Sequence, residues 1–320
     1  MKGRHGMVAT AAPYFSVLIV NYNGARFLPA CLESLRTQTW PRDRSETILL
    51  DNASGDDSLH IVRTQFPWVK LLPESRNIGF AEGNNLAVRA ARGEVIVLLN
   101  NDTIPDPFWL EELARAIAEN PGCIVGSKLV FAGESAKINS AGLFLLRDGR
   151  GADRGFGQTD SGQYERGGDI FAACAAAVAI PRAMLREPLF DRDYFLYSED
   201  LEEAWAGQRA GRRTVLAPRA VVRHFVGASA GDQSPLFHYY VERNRTLTAL
   251  RHGDPFLVAY SLSGLLIRAL RATAMCILRR SAPKYRRPAV KAIWRAFGDV
   301  LTRTPAILKG RFTGPARGPR

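Results

Sequence analysis

The sequence predicts an α/β protein with a mostly parallel sheet flanked by helices, and three observations carry the prediction. Val95-Ile-Val-Leu-Leu99 is a run of five apolar residues without two-residue alternation, the pattern of a strand buried on both faces. It runs directly into Asn100-Asn-Asp102, and two earlier apolar runs also end on Asn and Asp. Segments of helical spacing separate the runs, so strands and helices alternate in right-handed βαβ units. In a parallel sheet the carboxyl ends of the strands share one edge. That edge is where open α/β sheets bind ligands.

Phe15 to Val20 is the first strand, ending in the polar turn Asn21-Tyr-Asn-Gly24. Phe27 to Gln38 follows with Phe27, Leu28, Cys31, Leu32 and Leu35 at helical spacing. Glu46 to Leu50 is the second strand and ends at Asp51-Asn-Ala-Ser-Gly-Asp56; residues 57–66 form the next helix. Val69 to Leu72 is a short strand. Arg76-Asn-Ile-Gly-Phe-Ala-Glu-Gly-Asn-Asn85 then opens a helix through Ala91 that Gly93 closes. Pro105 and Pro107 stop regular structure after the central strand. Beyond it, Val125 to Val130 reads as an edge-like strand. Gly149 to Gly168, rich in Gly, Asp and Arg, reads as a mobile loop. Phe171 to Ile180 is apolar with small residues, and residues 214–218 and 220–224 read as a pair of strands. Gly227 to Ser234 is a loop of small residues suited to a lid.

The 320 residues are 46% hydrophobic and 23% charged, enough for one large domain with an appendage. The divisions expected are residues 1–14 as a tail, 15–252 as the main domain and 253–320 as a basic helical extension. The formal charge is +12. From Arg279 onward twelve Lys and Arg stand against one acid, Asp299, so the tail carries nearly all of the excess. Cys31, Cys123, Cys174 and Cys276 lie far apart with no zinc spacing, which suggests buried thiols in a reducing compartment. The first 14 residues hold no apolar core of signal-peptide length.

Three strand ends thus present Asn21 and Asn23, Asp51 and Asp56, and Asn101 and Asp102 to one crevice. Such a crevice suits a sugar nucleotide: Asp51 for hydrogen bonds to base or ribose, Asp102 for a divalent cation on the diphosphate. Asp56 reads equally as a cap of the helix that follows. Further on, the aromatics Tyr194, Phe195 and Tyr197 precede Glu199-Asp200, a carboxylate pair opening a helix that continues through Trp205 and Gln208. The pair reads either as acids favoured in a first turn by the helix dipole or as a general base.

The chain resembles the family 2 inverting glycosyltransferases of GT-A fold. The motifs are Val20-Asn-Tyr-Asn-Gly24, Asp51-Asn-Ala-Ser-Gly-Asp56, Arg76 to Asn85 and Leu99-Asn-Asn-Asp102, in that order, and the likeness covers roughly Phe15 to Arg251. The branch it resembles is the rhamnosyltransferase-like enzymes of bacterial cell-surface polysaccharide assembly. The resemblance implies that Asn21, Asn23, Asp51, Asp56, Arg76, Asn77 and Asn101 line the donor site. It makes Asp102 the acid that binds Mg²⁺ or Mn²⁺, with Asn100 where the motif's first acid usually stands. A single carboxylate would hold such a cation through water and phosphate oxygens. The resemblance also assigns the base to Asp200, with Glu199 in reserve, and gives Glu202 and Gln208-Arg209 as neighbours of the acceptor positions. His224 matches a histidine that contacts metal or diphosphate in relatives, against an ordinary strand-end role. Arg243 and Arg245, within Arg243-Asn-Arg245, either neutralise the leaving diphosphate or cap the domain. The small-residue stretch ending at Ile180 resembles the floor of the acceptor site and reads equally as packed core.

In the tail, residues 256–267 are apolar before Arg268 and Arg271, short of the ~20 residues that span a bilayer. Leu266, Ile267, Leu270, Ala274, Ile277 and Leu278 share one helix face, and Val290, Ile293, Trp294, Phe297 and Leu301 repeat the spacing. This reads as an interfacial helix on an anionic membrane, as a hairpin packed on the main domain, or as charge for nucleic acid without any recognition motif. The reading adopted is a metal-dependent inverting glycosyltransferase with a nucleoside-diphosphate-sugar donor and a lipid-linked or polysaccharide acceptor. It is expected in the cytoplasm, peripheral to the inner face of the cell membrane, and to bind no nucleic acid. Its rivals are a sugar-phosphate nucleotidyltransferase, which would want a basic glycine-rich loop where Asn21-Tyr-Asn-Gly24 stands, and a non-enzymatic basic membrane-surface protein.

Overall fold

The computed structural model describes residues 13–134, 136–225, 234–278 and 286–313. Strands β1 (Phe15–Asn21), β2 (Ser45–Asp51), β3 (Lys70–Pro73) and β4 (Val95–Leu99) lie parallel in the order β3-β2-β1-β4. Helices α1 (Leu28–Arg36), α2 (Ser58–Gln65) and α3 (Gly79–Ala90) are their crossovers. The unbroken apolar runs follow from burial of both faces. Val17, Ile19, Val97 and Leu99 pack with Leu28, Leu32 and Val62 on one side. Leu18, Ile48, Ile96 and Leu98 meet Ala81, Ala87 and Val88 of α3 on the other.

After β4 come β5 (Thr103–Pro105), α4 (Trp109–Glu119), β6 (Cys123–Phe131) and β7 (Ile138–Ser140). A two-stranded ribbon, β8 (Leu143–Leu145) and β9 (Gly151–Asp153), precedes β10 (Gly168–Ile170) and β11 (Ala177–Pro181). Helix α5 (Glu199–Arg209) and β12 (Arg213–His224) complete the sheet, whose main path is β10-β12-β6-β11-β4-β1-β2-β3. β11 alone in the centre of that path runs antiparallel to both neighbours, β4 and β6. Its leading residues therefore arrive at the edge where the parallel strands end.

Several expectations change here. β6 is not an edge strand; it is paired to β11 and β12 and is buried along most of its length. Residues 214–224 form one strand with an irregularity between Ala217 and Val221, not a pair. The stretch 149–168 contains β9 and a turn tied down by buried Lys128, which pairs with Asp160 at 2.8 Å and Glu165 at 2.7 Å. α4 was not foreseen, although Leu110, Leu113 and Ala116 carry its spacing. Trp109, fully buried, anchors it by donating to Ser127 Oγ at 2.9 Å. The expected lid at 227–233 lies outside the described residues; Ser234 caps the next helix, accepting from the Phe237 amide at 3.0 Å.

That helix, α6 (Pro235–His252), packs with α7 (Pro255–Ile277) and α8 (Arg287–Thr313) around Leu247, Leu250, Leu265, Ala269, Val290 and Ile293. Two expectations about this region need correction. α7 is unbroken through Arg268 and Arg271, and by length and composition it is long and apolar enough to cross a bilayer. The second stripe, Val290 and Ile293, faces inward, whereas Ile267, Leu270, Ile277 and Leu278 face out.

Leu247 and Leu250 are fully buried by α7 and α8, and uncovering such side chains costs roughly 1.5–3 kcal/mol each. A chain cut after His252 should thus melt well below the full chain and aggregate. Unchanged solubility and melting would show that α7 and α8 do not stabilise the rest of the chain.

Candidate active site

The carboxyl ends of β1, β2 and β4 meet in a chain of side-chain hydrogen bonds. Asn21, buried at the end of β1, donates from Nδ2 to Asp51 Oδ1 at 2.9 Å and to Ser54 Oγ at 3.1 Å. Its Oδ1 accepts from Asn101 Nδ2 at 2.7 Å. Asp51 also accepts from the Ser54 amide and hydroxyl. Asn23, at φ 52°, receives the Gly55 amide at 2.7 Å and so joins the two loops. Asp56 lies one residue before the cap position of α2, which is Asp57; its Oδ1 accepts from the Ser58 amide at 3.1 Å and its other oxygen accepts from the Ala25 amide at 2.9 Å. Burial raises its pKa, but these donors outweigh burial and hold the carboxyl below its ordinary value. Gly24 has no substitute: a Cβ there would lie 2.2 Å from both Asn101 Nδ2 and Asn21 Oδ1. Asn52, which sequence reasoning passed over, accepts from the Ile78 amide at 2.8 Å and donates to Gly79 O at 3.1 Å. Arg76 and Asn77 stand exposed on the bend between these contacts and β3.

Asp102 is buried one residue beyond Asn101. β5 pairs with the end of β12, Thr103 opposite His224, and this sets His224 Nε2 3.3 Å from Asp102 Oδ1. His224 Nδ1 lies 2.9 Å from Oδ1 of buried Asn139 on β7. With the proton on Nδ1 donated to Asn139, the Nε2 lone pair faces the Asp102 carboxylate, an arrangement typical of metal-binding histidines. No group of three or more His, Cys, Asp or Glu is arranged for a metal among the described residues. Asp102 and His224 present one carboxylate and one imidazole, a donor set suited to a hard cation that takes its other ligands from phosphate and water.

Across the edge, the inverted strand β11 delivers the Ala175 amide to Asp200 Oδ2 at 3.4 Å, while Oδ1 receives the Leu201 amide at 2.7 Å. Asp200 keeps part of its side chain open, whereas Glu199 is buried and its Oε2 has no hydrogen-bond partner among the described residues. Burial pushes both carboxyls up, Glu199 to about 8 with the Asp200 charge adding to the effect. For Asp200 the Leu201 and Ala175 amides oppose burial and the Asp153 charge assists it. Asp153, on β9, was missed in the sequence. Burial raises its carboxyl, opposed by a Ser140 hydrogen bond and by His224, and its charge in turn helps to raise Asp200. Glu202 turns away into Arg186 and His252, both at 3.0 Å.

Arg243 and Arg245 are occupied elsewhere. Buried Arg243 pairs with Asp299 of α8 and donates to Asp193 O at 2.8 Å. Arg245 reaches Asp148 at 3.4 Å, at the turn of the β8–β9 ribbon. Of the two roles open for these arginines, their contacts are those of a domain cap.

Residues 16–187 match the family model described as glycosyl transferase family 2, which is more than half of the chain. The chain belongs to glycosyl transferase family 2. This family 2 chain is 28% identical over 127 residues to glycosyltransferase AglE of Haloferax volcanii, covering 39% of the chain and 42% of AglE. It is 28% identical over 109 residues to poly(ribitol-phosphate) β-N-acetylglucosaminyltransferase TarS of Staphylococcus aureus, covering 33% of the chain and 19% of TarS. The chain thus spans less than half the length of these curated relatives. Among solved structures it resembles GalNAc-T7 with UDP, GalNAc and Mn²⁺, with TM-score 0.62, 16% identity and coverage of 96% of this chain and 59% of that one. It also resembles the mannosyltransferase PcManGT of Pyrobaculum calidifontis with GDP-Man and Mn²⁺, with TM-score 0.53, 19% identity and coverage of 91% and 88%. These likenesses show the GT-A-like fold of the family 2 chain.

The buried pair has a consequence for stability. An acid raised on folding contributes stability in full below its unfolded pKa and loses it as pH climbs through the folded one, about 8 for Glu199. Glu199→Gln keeps the neutral shape. Its melting temperature should match wild type near about pH 5 and exceed it by several degrees above about pH 8. Parallel profiles would mean that Glu199 is hydrated in solution.

Proposed function

We propose that this chain is an inverting glycosyltransferase that moves a sugar from a nucleoside diphosphate to a hydroxyl of a lipid-linked or cell-surface polysaccharide acceptor. The observation that carries the reading is one strand edge holding two chemistries: the Asn21–Asp51–Asn101 network with Asp102 on one side, and Asp200 on the other. Structural relatives with UDP or GDP-Man and Mn²⁺ support a nucleotide-sugar donor and a divalent cation. Rhamnose is the candidate sugar, supported by the order of the motifs and by Asn100 in place of an acid.

In this reading Asp51, Asn21, Asn23, Asn101 and the Asp56 loop orient the nucleotide, with Arg76 and Asn77 at its rim. Asp102 and His224 would hold a divalent cation, which when bound would supply positive charge beside the departing diphosphate. The carboxylate of Asp200 takes the proton from the acceptor hydroxyl as its oxygen forms the bond to the anomeric carbon. The bond from that carbon to the phosphate oxygen breaks, and the diphosphate leaves with the electron pair. One displacement inverts the carbon without a covalent enzyme intermediate. Asp200 must be ionised to act, so its raised pKa places the fall of activity at a higher pH than an ordinary aspartate would.

Two substitutions separate the roles. Asp200→Asn should leave donor affinity nearly unchanged and lower the turnover by roughly 10²–10⁴. Asp102→Asn should abolish the dependence of donor binding on Mn²⁺ or Mg²⁺. Calorimetry against a panel of nucleoside diphosphates and their sugars, with and without metal, reads donor binding, and nucleoside diphosphate release reads turnover. Loss of donor binding in Asp200→Asn, or intact metal dependence in Asp102→Asn, would overturn the respective assignment.

The outward face of α7 favours a second part to the reading, docking on an anionic membrane. Phe256, Tyr260, Ile267, Leu270 and Ile277 recur at helical spacing and are exposed, Phe256 at 79% and Ile267 at 61%. Arg271 flanks them, and the basic excess of the tail follows. Exposed apolar side chains beside cations are the requirements of an interfacial helix. Ile267→Glu with Leu270→Glu touches no buried residue. The double variant should keep the wild-type melting temperature and lose about tenfold or more of its binding to phosphatidylglycerol vesicles. Vesicle binding equal to wild type would remove the membrane from the proposal.

A further inference from the structure

The four residues before Glu199-Asp200 have an unusual backbone. Phe195, Tyr197 and Ser198 stand at φ 59°, 69° and 64°, the left-handed region, and none is glycine. L side chains adopt that region at a cost, so three of them within four residues persist only where surrounding contacts impose it. Ser198 is also the residue from which α5 starts, with its carbonyl accepting the Glu202 amide at 3.0 Å. The direction in which Asp200 leaves the helix start is therefore set by this loop.

The contacts that impose it come from two sides. Phe195 O accepts from the Phe80 amide at 2.6 Å and the Ala81 amide at 3.2 Å, at the start of α3. The approach is so close that a Cβ on Gly79 would lie 2.5 Å from the Phe195 ring. On the other side is Asn244 of α6, wholly buried. The two N–H groups of its Nδ2 are shared among Tyr194 O, Leu196 O and Tyr197 O, each 2.8 Å away. Its Oδ1 accepts from Arg243 Nη1 at 2.7 Å, which fixes the amide with its donors toward the loop. Arg243 is in turn held by Asp299 of α8, and Arg303 of α8 pairs with Asp193 at 2.7 Å just upstream.

We infer that Asn244 is the positioning residue of the general-base loop, and that Arg243 and α8 act through it to set where Asp200 points. Side-chain chemistry restricts the position to Asn. Asp carries acceptors only and would face three carbonyl oxygens, and Ala would leave those carbonyls without their donor. Arg243-Asn-Arg245 thus works on the acceptor side of the reaction rather than on the leaving diphosphate. The inference rests on Asp200 being the base, and the experiment keeps the two apart.

Asn244→Ala, Asn244→Asp, Ser198→Gly and Asn244→Ala with Ser198→Gly are compared with Asp200→Asn in the full chain. Turnover is read as nucleoside diphosphate release from UDP-, GDP- and dTDP-sugars with Mn²⁺, and donor binding by calorimetry. Loop order is read by hydrogen exchange of the amides of residues 195–202. A misplacement of about 1 Å at the reacting group costs about 10²-fold. Turnover of Asn244→Ala and Asn244→Asp should fall by about that factor while donor affinity stays within about twofold. Exchange over 195–202 should quicken with that over 51–56 unchanged. Glycine at 198 relieves the left-handed strain, so the double variant should recover a good part of the turnover and protection that Asn244→Ala loses. Where Asn244→Ala does not fold, Asn244→Gln, which keeps both groups on a longer stem, is read in the same way. Unchanged turnover and exchange would overturn the inference. So would parallel loss of donor affinity and protection throughout the chain without rescue by Ser198→Gly. If Asp200→Asn turns over normally, the base assignment falls. The loop clamp then stands or falls on the exchange and its rescue.

Discussion

The amide of Asn21 is the joint on which the Asp51–Asp102 half of the site depends. It is buried and both of its ends are used, Nδ2 on Asp51 and Ser54 and Oδ1 on Asn101. Three strands that reach one edge would otherwise end in three separate turns. The amide makes them one floor, because any shift of one loop leaves a buried donor or acceptor unpaired at about 1–3 kcal/mol. The same joint explains Gly24, whose missing Cβ is the space that the Asn21 and Asn101 side chains fill. It also leaves the next residue, Asp102, at a fixed place opposite His224.

The half of the site around Asp200 depends on a different device. Its residues lie on three separate pieces of chain: the 172–176 segment that β11 brings to the edge by running backwards, the β8–β9 ribbon with Asp153, and the start of α5. No sheet hydrogen bond links α5 to the donor floor. What holds it are the Ala175 amide on Asp200, the bracket of α3 and α6 around residues 195–198, and the ion pairs that reach back from α8. Helices that look like an appendage in the sequence are thereby joined to the start of α5 and its Asp200 carboxylate.

The contrast between the halves explains what was legible in the sequence. The parallel core was readable because strands buried on both faces must be continuously apolar, and their ligand-facing ends must then be polar at once. That pattern exposed Asn21, Asp51, Asn101 and Asp102, while Glu199-Asp200 was legible as a carboxylate pair opening a helix behind a cluster of aromatics. Residues that act through long-range geometry left no such mark. Asn52, Asn139 and Asn244 are single amides in unremarkable contexts, and each does its work on a partner 26 to 85 positions away. Asp153 sat in a glycine-rich stretch whose composition suggested only a loop. β6 looked like an edge strand because Gly126, Ser127 and Lys128 interrupt it. In the fold Gly126 makes room for Ala173, Ser127 receives the Trp109 indole, and Lys128 is neutralised by Asp160 and Glu165.

The basic tail shows how far charge read from a sequence must be discounted once the fold is known. Arg303 is committed to Asp193 and Asp299, Arg311 to the carbonyls of Leu250 and Gly253, and Arg295 to the Tyr239 ring at 5.0 Å. These cations are used in joining α8 to α6 and to the loop ahead of α5. Such residues cannot each contribute the ~1 kcal/mol that a surface Lys or Arg gains on anionic lipid. The outward face of α7 then carries a larger share of any membrane attachment than the formal charge implies. Apolar burial is indifferent to screening, whereas charge attraction fades over a Debye length of ~8 Å at physiological salt. Attachment through this surface should therefore weaken with salt to a floor set by Phe256, Ile267 and Leu270 rather than vanish.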